Sequence, residues 1–283
     1  MPEGTVSACD ACAKRLPAWG LRMIFIVGGD GFVGSAFARC CKRQGLEFAI
    51  VEPYNYRQYV GKRCDLLINA NGNSRKFLAR ESPLEEFDLS VRSVRATLVD
   101  FPCDFYLHFS SCDVYPDCSS PATTREDSTP DPRTQSPYGF HKHLAEQCVR
   151  HGAGRWLIVR YGGFIGPNLK KNPIYDILHG GPLWLDPESE LQFLHTDRAA
   201  EIVFTLVDRG VTDEIVNVCG RGLVRLQEVI DHAGTSVLVQ PGSPKVRYDV
   251  SIEKLQRWVG SPETRAAVLA FVDEELGKGS VRQ

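Results

Sequence analysis

The chain has few of the features that mark whole classes of protein. Its formal charge at neutral pH is −2, so no single-sign field is present to hold nucleic acid or an anionic membrane surface. No apolar run approaches the roughly 18 residues that a membrane-spanning helix needs. The N-terminus lacks the apolar stretch of a secretory signal, which leaves the cytoplasm as the expected compartment. CxxC occurs once, at Cys9–Cys12, and neither a second CxxC nor an HxxxH completes a four-ligand zinc site, so no metal is expected. His141 and His143 are two apart and would leave a helix in different directions. The ten cysteines therefore read mostly as reduced thiols of core and surface. Repeats and low-complexity tracts are absent.

What is present suits one large α/β domain with a small appendage: 283 residues, of which 43% are apolar. Residues 1–22 lack periodicity, and Pro17 and Gly20 break any helix there, so a weakly ordered extension is expected. Met23–Val27 then reads as a buried parallel strand, and Phe32–Arg43 as a helix with Val33, Ala36, Phe37 and Cys40 on one face. Gly45 is placed to end that helix. Between strand and helix lies Gly28-Gly29-Asp30-Gly31-Phe32-Val33-Gly34, a GxxGxxG pattern. Glycine at 28 permits the tight turn. At 31 the missing Cβ lets a pyrophosphate meet backbone N–H groups at the positive end of a helix, and at 34 it lets helix and strand pack closely. A strand–turn–helix with small residues at the crossing has the same pattern. Phe48–Val51 is a second apolar strand ending in Glu52, about 20 residues past the central glycine, where a carboxylate accepts hydrogen bonds from an adenosine ribose and repels a 2′-phosphate. That placement favours NAD over NADP; a solvated strand-end glutamate is the alternative.

A second constellation follows the strand Phe105–Phe109. Ser110-Ser111-Cys112-Asp113-Val114-Tyr115 ends that strand, and some 25 residues later comes Ser136-Pro137-Tyr138-Gly139-Phe140-His141-Lys142. Pro137 suits a first helical turn, and Tyr138 and Lys142 are i and i+4 on one face. A phenol that works as a base near neutrality needs a shift of roughly three units, about 4 kcal/mol. An ammonium about 5 Å away contributes roughly 3 kcal/mol of that. Ser111, at the C-terminal end of a strand, is placed to bind the same substrate oxygen. Taken alone, Tyr138 and Lys142 also read as a surface helical pair.

Six blocks in order resemble the extended short-chain dehydrogenase/reductase family, its NAD-dependent epimerase/dehydratase group. They are GGDGFVG, CDLLINANG, HFSSCDVY, TTREDSTPDPRTQSPYGFHKHLAEQ, VRYGGFIGPN and LQFLHTDRAAEIV, and the likeness spans about Met23 to Arg225. The resemblance implies a Rossmann-type doubly wound parallel sheet with a small C-terminal substrate-binding lobe. The dinucleotide domain would cover 23–167 with a return at 195–218, and the lobe most of 168–283. It implies a triad of Ser111, Tyr138 and Lys142. It also implies NAD held by Gly28, Gly31, Phe32, Val33 and Glu52, with Asn71, Tyr138 and Lys142 toward the nicotinamide. A nucleotide sugar is the implied substrate, and a homodimer packed through helices at about 82–100 and 138–151 the implied assembly.

The departures bear on substrate. About a dozen residues separate Glu52 from the strand at Leu66–Asn69, so the usual crossover is truncated, which is expected to leave Tyr54, Tyr56 and Tyr59 near the adenine side. Asn71 replaces a small apolar residue beside the nicotinamide. Gly163 stands where related sugar-nucleotide enzymes carry a substrate-touching asparagine. Arg198 replaces the second aspartate of an HVDD motif. Asp113 is the single carboxylate where 4,6-dehydratases carry an acidic pair, so elimination of water is less favoured than epimerisation or reduction; it also reads as a turn cap. Lys170 and Lys171 are placed to hold a diphosphate, or belong to a solvated loop, and Arg221 and Arg225 leave the same choice. Trp184 and Trp258 are expected in the core of the lobe. The expected function is NAD-dependent epimerase or related isomerase on a nucleotide sugar. The alternatives are a keto-sugar or other small-carbonyl reductase, and a non-catalytic NAD sensor on the same fold.

Overall fold

The computed structural model describes residues 22–280; the N-terminal extension and the Cys9–Cys12 pair lie outside them. Five strands come early in the chain: β1 (Ile24–Val27), β2 (Phe48–Val51), β3 (Cys64–Asn69), β4 (Cys103–Ser111) and β5 (Trp156–Tyr161). A sixth, Glu214–Val218, is added much later as an edge. Their spatial order is β2-β1-β3-β4-β5 and then the late strand, and every pairing is parallel. The doubly wound sheet is thus as expected. Its strands are short and apolar because both faces are covered. On one face Ile24, Ile26, Leu66, Ile68 and Leu157 pack with Ala36 and Phe37 of helix Gly34–Gln44 and with helix Thr196–Asp208. On the other, Phe25, Val27, Leu67, Tyr106 and Ile158 pack with Val94, Ala145 and Val149. That alternation is the strand period of two, and each such side chain contributes about 1.5–3 kcal/mol by leaving water.

Between β2 and β3 the chain makes one 3₁₀ turn, Tyr56–Gln58, where a doubly wound sheet ordinarily inserts a helix and an outer strand. β2 therefore forms the sheet edge. Tyr56 and Tyr59 do not go to the adenine side as expected. Tyr56 lies edge-on to Phe101 at 4.8 Å and donates its hydroxyl to Asp100 at 2.9 Å. Tyr59 packs on Phe25 at 5.2 Å. With the crossover helix missing, the apolar face of β1 needs another cover, and these two rings supply it. Tyr54 stays by the glycine loop, its hydroxyl 3.3 Å from Asp30 Oδ2.

The helix expected over 82–100 is composite. Pro83–Phe87 and Ser93–Asp100 flank a widened π turn at Asp88–Arg92. A second core gathers Ile165, Ile174, Val229, Val268 and Phe271. It is built on helices Pro173–His179, Leu226–Ala233 and Thr264–Ser280. The chain rejoins the main core through residues 194–219, and again through Val250, Ile252 and Leu255. Trp184, expected in the lobe core, is 65% exposed; its neighbour Leu183 takes the inward place in the extended segment paired with Val239. Trp258 packs half-buried against the main core instead.

One ion pair is buried between sheet and helix. Arg160 of β5 grips Glu146 of helix Pro137–Gly152 with Nε–Oε1 at 2.9 Å and Nη2–Oε2 at 2.6 Å. Removing one partner strands the other charge, so Arg160→Ala is expected to cost about 3–5 kcal/mol. Arg43→Ala, which breaks a solvated pair with Glu201, should cost less than about 1 kcal/mol. Urea unfolding of the two variants measures the contrast.

Candidate active site

The strand order reverses between β1 and β3, and the crevice beyond their C-terminal ends is where open α/β sheets bind ligands. Gly28 ends β1 with φ +76°, a conformation that side chains disfavour. A Cβ on it would stand 3.0 Å from the Asn71 amide, just beyond β3. Gly34 is the first residue of helix Gly34–Gln44, and a Cβ there would lie 2.1 Å from the Gly28 carbonyl oxygen. The helix therefore rests directly on the turn. No side chain caps its N-terminus and its first turn carries no acid, which leaves the positive end of the helix open to an anion. Gly31 is exposed there and Phe32 and Val33 are half-buried. The Glu52 carboxylate accepts a hydrogen bond from the Asp30 amide at 2.8 Å, so it faces this loop from the end of β2. An open helix N-terminus, a bare glycine turn and a strand-end carboxylate at the switch point fit a dinucleotide.

β4 ends at Ser111 beside the same crevice. Helix Pro137–Gly152 begins opposite it, with Ser136 Oγ accepting from the Gly139 amide at 3.0 Å and Pro137 in the first turn. A Cβ on Gly139 would come 1.9 Å from the Asp113 carbonyl oxygen, so this helix too sits backbone-to-backbone on a strand-end turn. Tyr138 is 8% exposed and donates its hydroxyl to the Asn73 carbonyl at 3.1 Å. Lys142 is 5% exposed and donates to the Phe109 carbonyl at 3.0 Å. Burial pushes the Lys142 ammonium down to about 8, while Glu146, Glu86 and Asp113 pull the other way. The Tyr138 phenol goes up, not down as the sequence suggests: burial dominates, the carboxylates of Asp113 and Glu86 add to it, and only a hydrogen bond with Ser111 opposes. The i, i+4 spacing gives the lysine its place. It carries no signal of the two carboxylates that other elements bring beside the phenol.

Asp113 is a hub. It accepts from Ser111 Oγ at 2.8 Å, from Lys76 Nζ at 2.9 Å and from the Tyr248 hydroxyl at 3.1 Å. Burial works to raise its carboxyl, but Lys76, Ser111 and Tyr248 together hold it below the usual range. Lys76 also lies over the Tyr248 ring at 5.4 Å. Sequence reasoning missed both partners. Lys76 had a signal, since it follows β3 at the ligand-bearing edge; Tyr248 arrives from 135 residues away and had none. Lys171 is exposed as a residue, but its ammonium is partly shielded from water, and that shielding and the nearby Arg75, a residue also missed, lower it. Lys170 is exposed, and nothing draws it to this cluster. Gly163 is occupied by packing: a Cβ would meet the Phe193 ring at 2.7 Å. Arg221 and Arg225 are paired with Glu263 and Glu188. Arg198 pairs with Glu201, while Asp197 holds Arg39 at 2.6 Å.

The contact between Gly34 and the Gly28 carbonyl has a direct consequence. Gly34→Ala should lower stability by about 1–3 kcal/mol through overpacking and displace the loop, read together as a lower melting temperature and weaker NAD binding by calorimetry.

Comparison with solved structures finds the same fold. A UDP-galactose 4-epimerase aligns over 91% of this chain and 99% of its own with TM-score 0.73 at 20% identity. A UDP-glucuronic acid 4-epimerase from Bacillus cereus, in complex with UDP-4-deoxy-4-fluoro-glucuronic acid and NAD, aligns over 90% and 99% with TM-score 0.73 at 15% identity. A dTDP-glucose 4,6-dehydratase from Streptomyces venezuelae, with NAD and TYD bound, aligns over 90% and 98% with TM-score 0.74 at 18% identity. A search of curated proteins finds no match. At these identities the structures speak for the fold, but the family profile matches residues 24–219, from the first strand through the edge strand. The chain thus belongs to the NAD dependent epimerase/dehydratase family, NAD-dependent enzymes of the extended short-chain dehydrogenase/reductase type.

Proposed function

We propose that this protein inverts a hydroxyl-bearing carbon of a nucleotide sugar through a transient ketone that is re-reduced on its other face, as an epimerase, with Ser111, Tyr138 and Lys142 at the reacting carbon. What supports this reading is Ser111 at the end of β4 and, on the helix that begins opposite it, Tyr138 and Lys142, both buried and donating to the Asn73 and Phe109 carbonyls, beside the crevice bounded by Gly28 and Asn71. Bound NAD supplies the hydride chemistry at its nicotinamide. Gly28, Gly31, Phe32 and Val33 would hold its pyrophosphate, Glu52 its adenosine ribose, and Asn71, Tyr138 and Lys142 its nicotinamide half. Tyr138 exchanges a proton with the substrate oxygen, and Ser111 turns its hydroxyl from Asp113 to polarise that oxygen. Lys142 keeps a positive charge next to the phenol.

The substrate class is supported by charge and space. A cavity of about 710 Å³ is lined by Lys76, Asp113, Tyr138 and Tyr248. Arg75 and Lys171 bring like charges together, an arrangement that a diphosphate would relieve. Elimination of water is disfavoured, because Asp113 is held ionised and has no proton to lend near neutrality. A keto-sugar reductase is the second reading. A phenol kept protonated is suited to giving a proton to a carbonyl oxygen. A homodimer is proposed through the composite helix, where Leu84 is 83% and Val99 66% exposed, with Phe87 and Leu89 beside them.

Tyr138→Phe should reduce hydride exchange between labelled NADH and substrate by at least about 100-fold with NAD affinity nearly intact; retained exchange rejects the assignment. Glu52→Ala should weaken NAD about tenfold or more through the lost charged hydrogen bond, measured by calorimetry. Light scattering should give a dimer that Leu84→Lys combined with Val99→Lys splits into monomers.

A further inference from the structure

Beneath the crevice, at the end of β3, lies a knot of buried polar groups with no part in the chemistry above. Asn69 is the last residue of β3 and has no exposed surface. Tyr106 of β4 has none either, and Thr97 of helix Ser93–Asp100 is 1% exposed. Tyr106 is paired with Leu67, two residues before Asn69, so it shares a face of the sheet with the asparagine. Asn69 Nδ2 lies 3.1 Å from Thr97 Oγ1 and 2.6 Å from the Tyr106 hydroxyl. Its Oδ1 accepts from the Asn71 amide at 3.0 Å.

Counting protons fixes which way this amide points. Thr97 donates its hydroxyl proton to the Val94 carbonyl at 2.8 Å. Its oxygen is then the acceptor for the Tyr106 hydroxyl at 2.6 Å. With both hydroxyl protons placed, the two oxygens accept from Asn69, and only Nδ2 has protons to give. A half-turn of the amide would set Nδ2 against the Asn71 N–H, donor facing donor. Oδ1 is therefore held toward Asn71. That matters because the Ala70–Asn71 peptide stands against the glycine turn. A Cβ on Gly28 would lie 3.0 Å from the Asn71 nitrogen and 3.1 Å from the Ala70 carbonyl carbon and oxygen. The sheet order is β2-β1-β3-β4. With Glu52 of the β2 side facing the adenosine half, the other half of a dinucleotide crosses Gly28 toward β3.

We propose that Asn69 is a positioning residue for the cofactor: oriented by Thr97 and Tyr106, its amide fixes the Ala70–Asn71 peptide against Gly28 and so sets the floor on which the nicotinamide half of NAD lies. The inference rests on the seat assigned above, with Glu52 at the adenosine ribose and Asn71 toward the nicotinamide. It is independent of the substrate and of the direction of the reaction.

The test is calorimetry on the full chain with two ligands: NAD, and ADP, which has the adenosine and diphosphate but no nicotinamide half. Asn69→Leu keeps the volume and removes the acceptor. It should bind NAD about tenfold more weakly, the cost of an unmade hydrogen bond at a buried amide, and bind ADP as the wild type does. Asn69→Asp keeps an acceptor toward Asn71 while losing the donors toward Thr97 and Tyr106. It should melt at a lower temperature yet retain the wild-type ratio of NAD to ADP affinity, which a merely structural role does not predict. An unchanged ratio in Asn69→Leu, equal weakening of both ligands, or an Asn69→Asp ratio as poor as that of Asn69→Leu overturns the proposal. Should Asn69→Leu fail to fold, hydrogen exchange in the wild type decides: the Asn71 amide should be protected without cofactor, and exchange at the rate of a free loop amide overturns the proposal. Glu52→Ala separates the two failures. If it weakens both ligands while the Asn69→Leu ratio is unchanged, the proposal alone falls; if it weakens neither, the assigned seat falls with it.

Discussion

Two helices rest on the ends of strands through bare backbone, and the site depends on that constraint. Gly34 lets one helix touch the Gly28 carbonyl, and Gly139 lets another touch the Asp113 carbonyl. A methyl group at either place would overlap an oxygen and lift its helix off the sheet. The first contact sets the open N-terminus over the crevice between β1 and β3. The second sets Tyr138 and Lys142 against Ser111. Both halves of the site are therefore positioned by the stiffest part of a protein, its paired backbone, instead of by long side chains that lose entropy on being fixed.

The second organising feature is charge kept away from water. Burial lowers Lys142 to about 8 from an ordinary value near 10.5. Between those limits the unfolded chain binds more protons than the folded one, so the buried ammonium burdens the fold below about pH 8 and the burden lifts as pH rises toward 10.5. The protein tolerates this because carboxylates from three elements surround the ammonium, each itself anchored: Glu146 by Arg160, Asp113 by Lys76, Glu86 by Ser90 and His141.

The first four strands of the sheet were legible in the sequence because buried parallel strands leave short apolar runs, and all four lie within two residues of where that pattern puts them. Gly28, Gly34 and Glu52 were legible for a related reason: a tight turn, a close helix crossing and a strand-end acid each demand one residue type at one spacing. Tertiary company was not legible. Nothing local says that Tyr56 and Tyr59 will roof β1, that Tyr248 will reach Asp113, or that Glu86 and Asp113 will flank Tyr138. The misplacement of Trp184 has the same origin, since hydrophobicity alone does not tell which of two neighbours in an extended segment faces inward. The phenol's direction of shift was misjudged because helical spacing reports only neighbours on the same helix.

Val250, Ile252 and Leu255 return to the main core after the chain has built most of the second one, and Asn217 ties that return down by donating to the Ser251 carbonyl at 3.0 Å. The second core is thus stitched to the main one from both sides, with Tyr248 of the second core directly preceding the return. It is not a detachable cassette. Swapping lobes between relatives at a single junction would leave a hole under the edge strand, and a workable chimera must carry the 248–258 segment together with the surface it plugs.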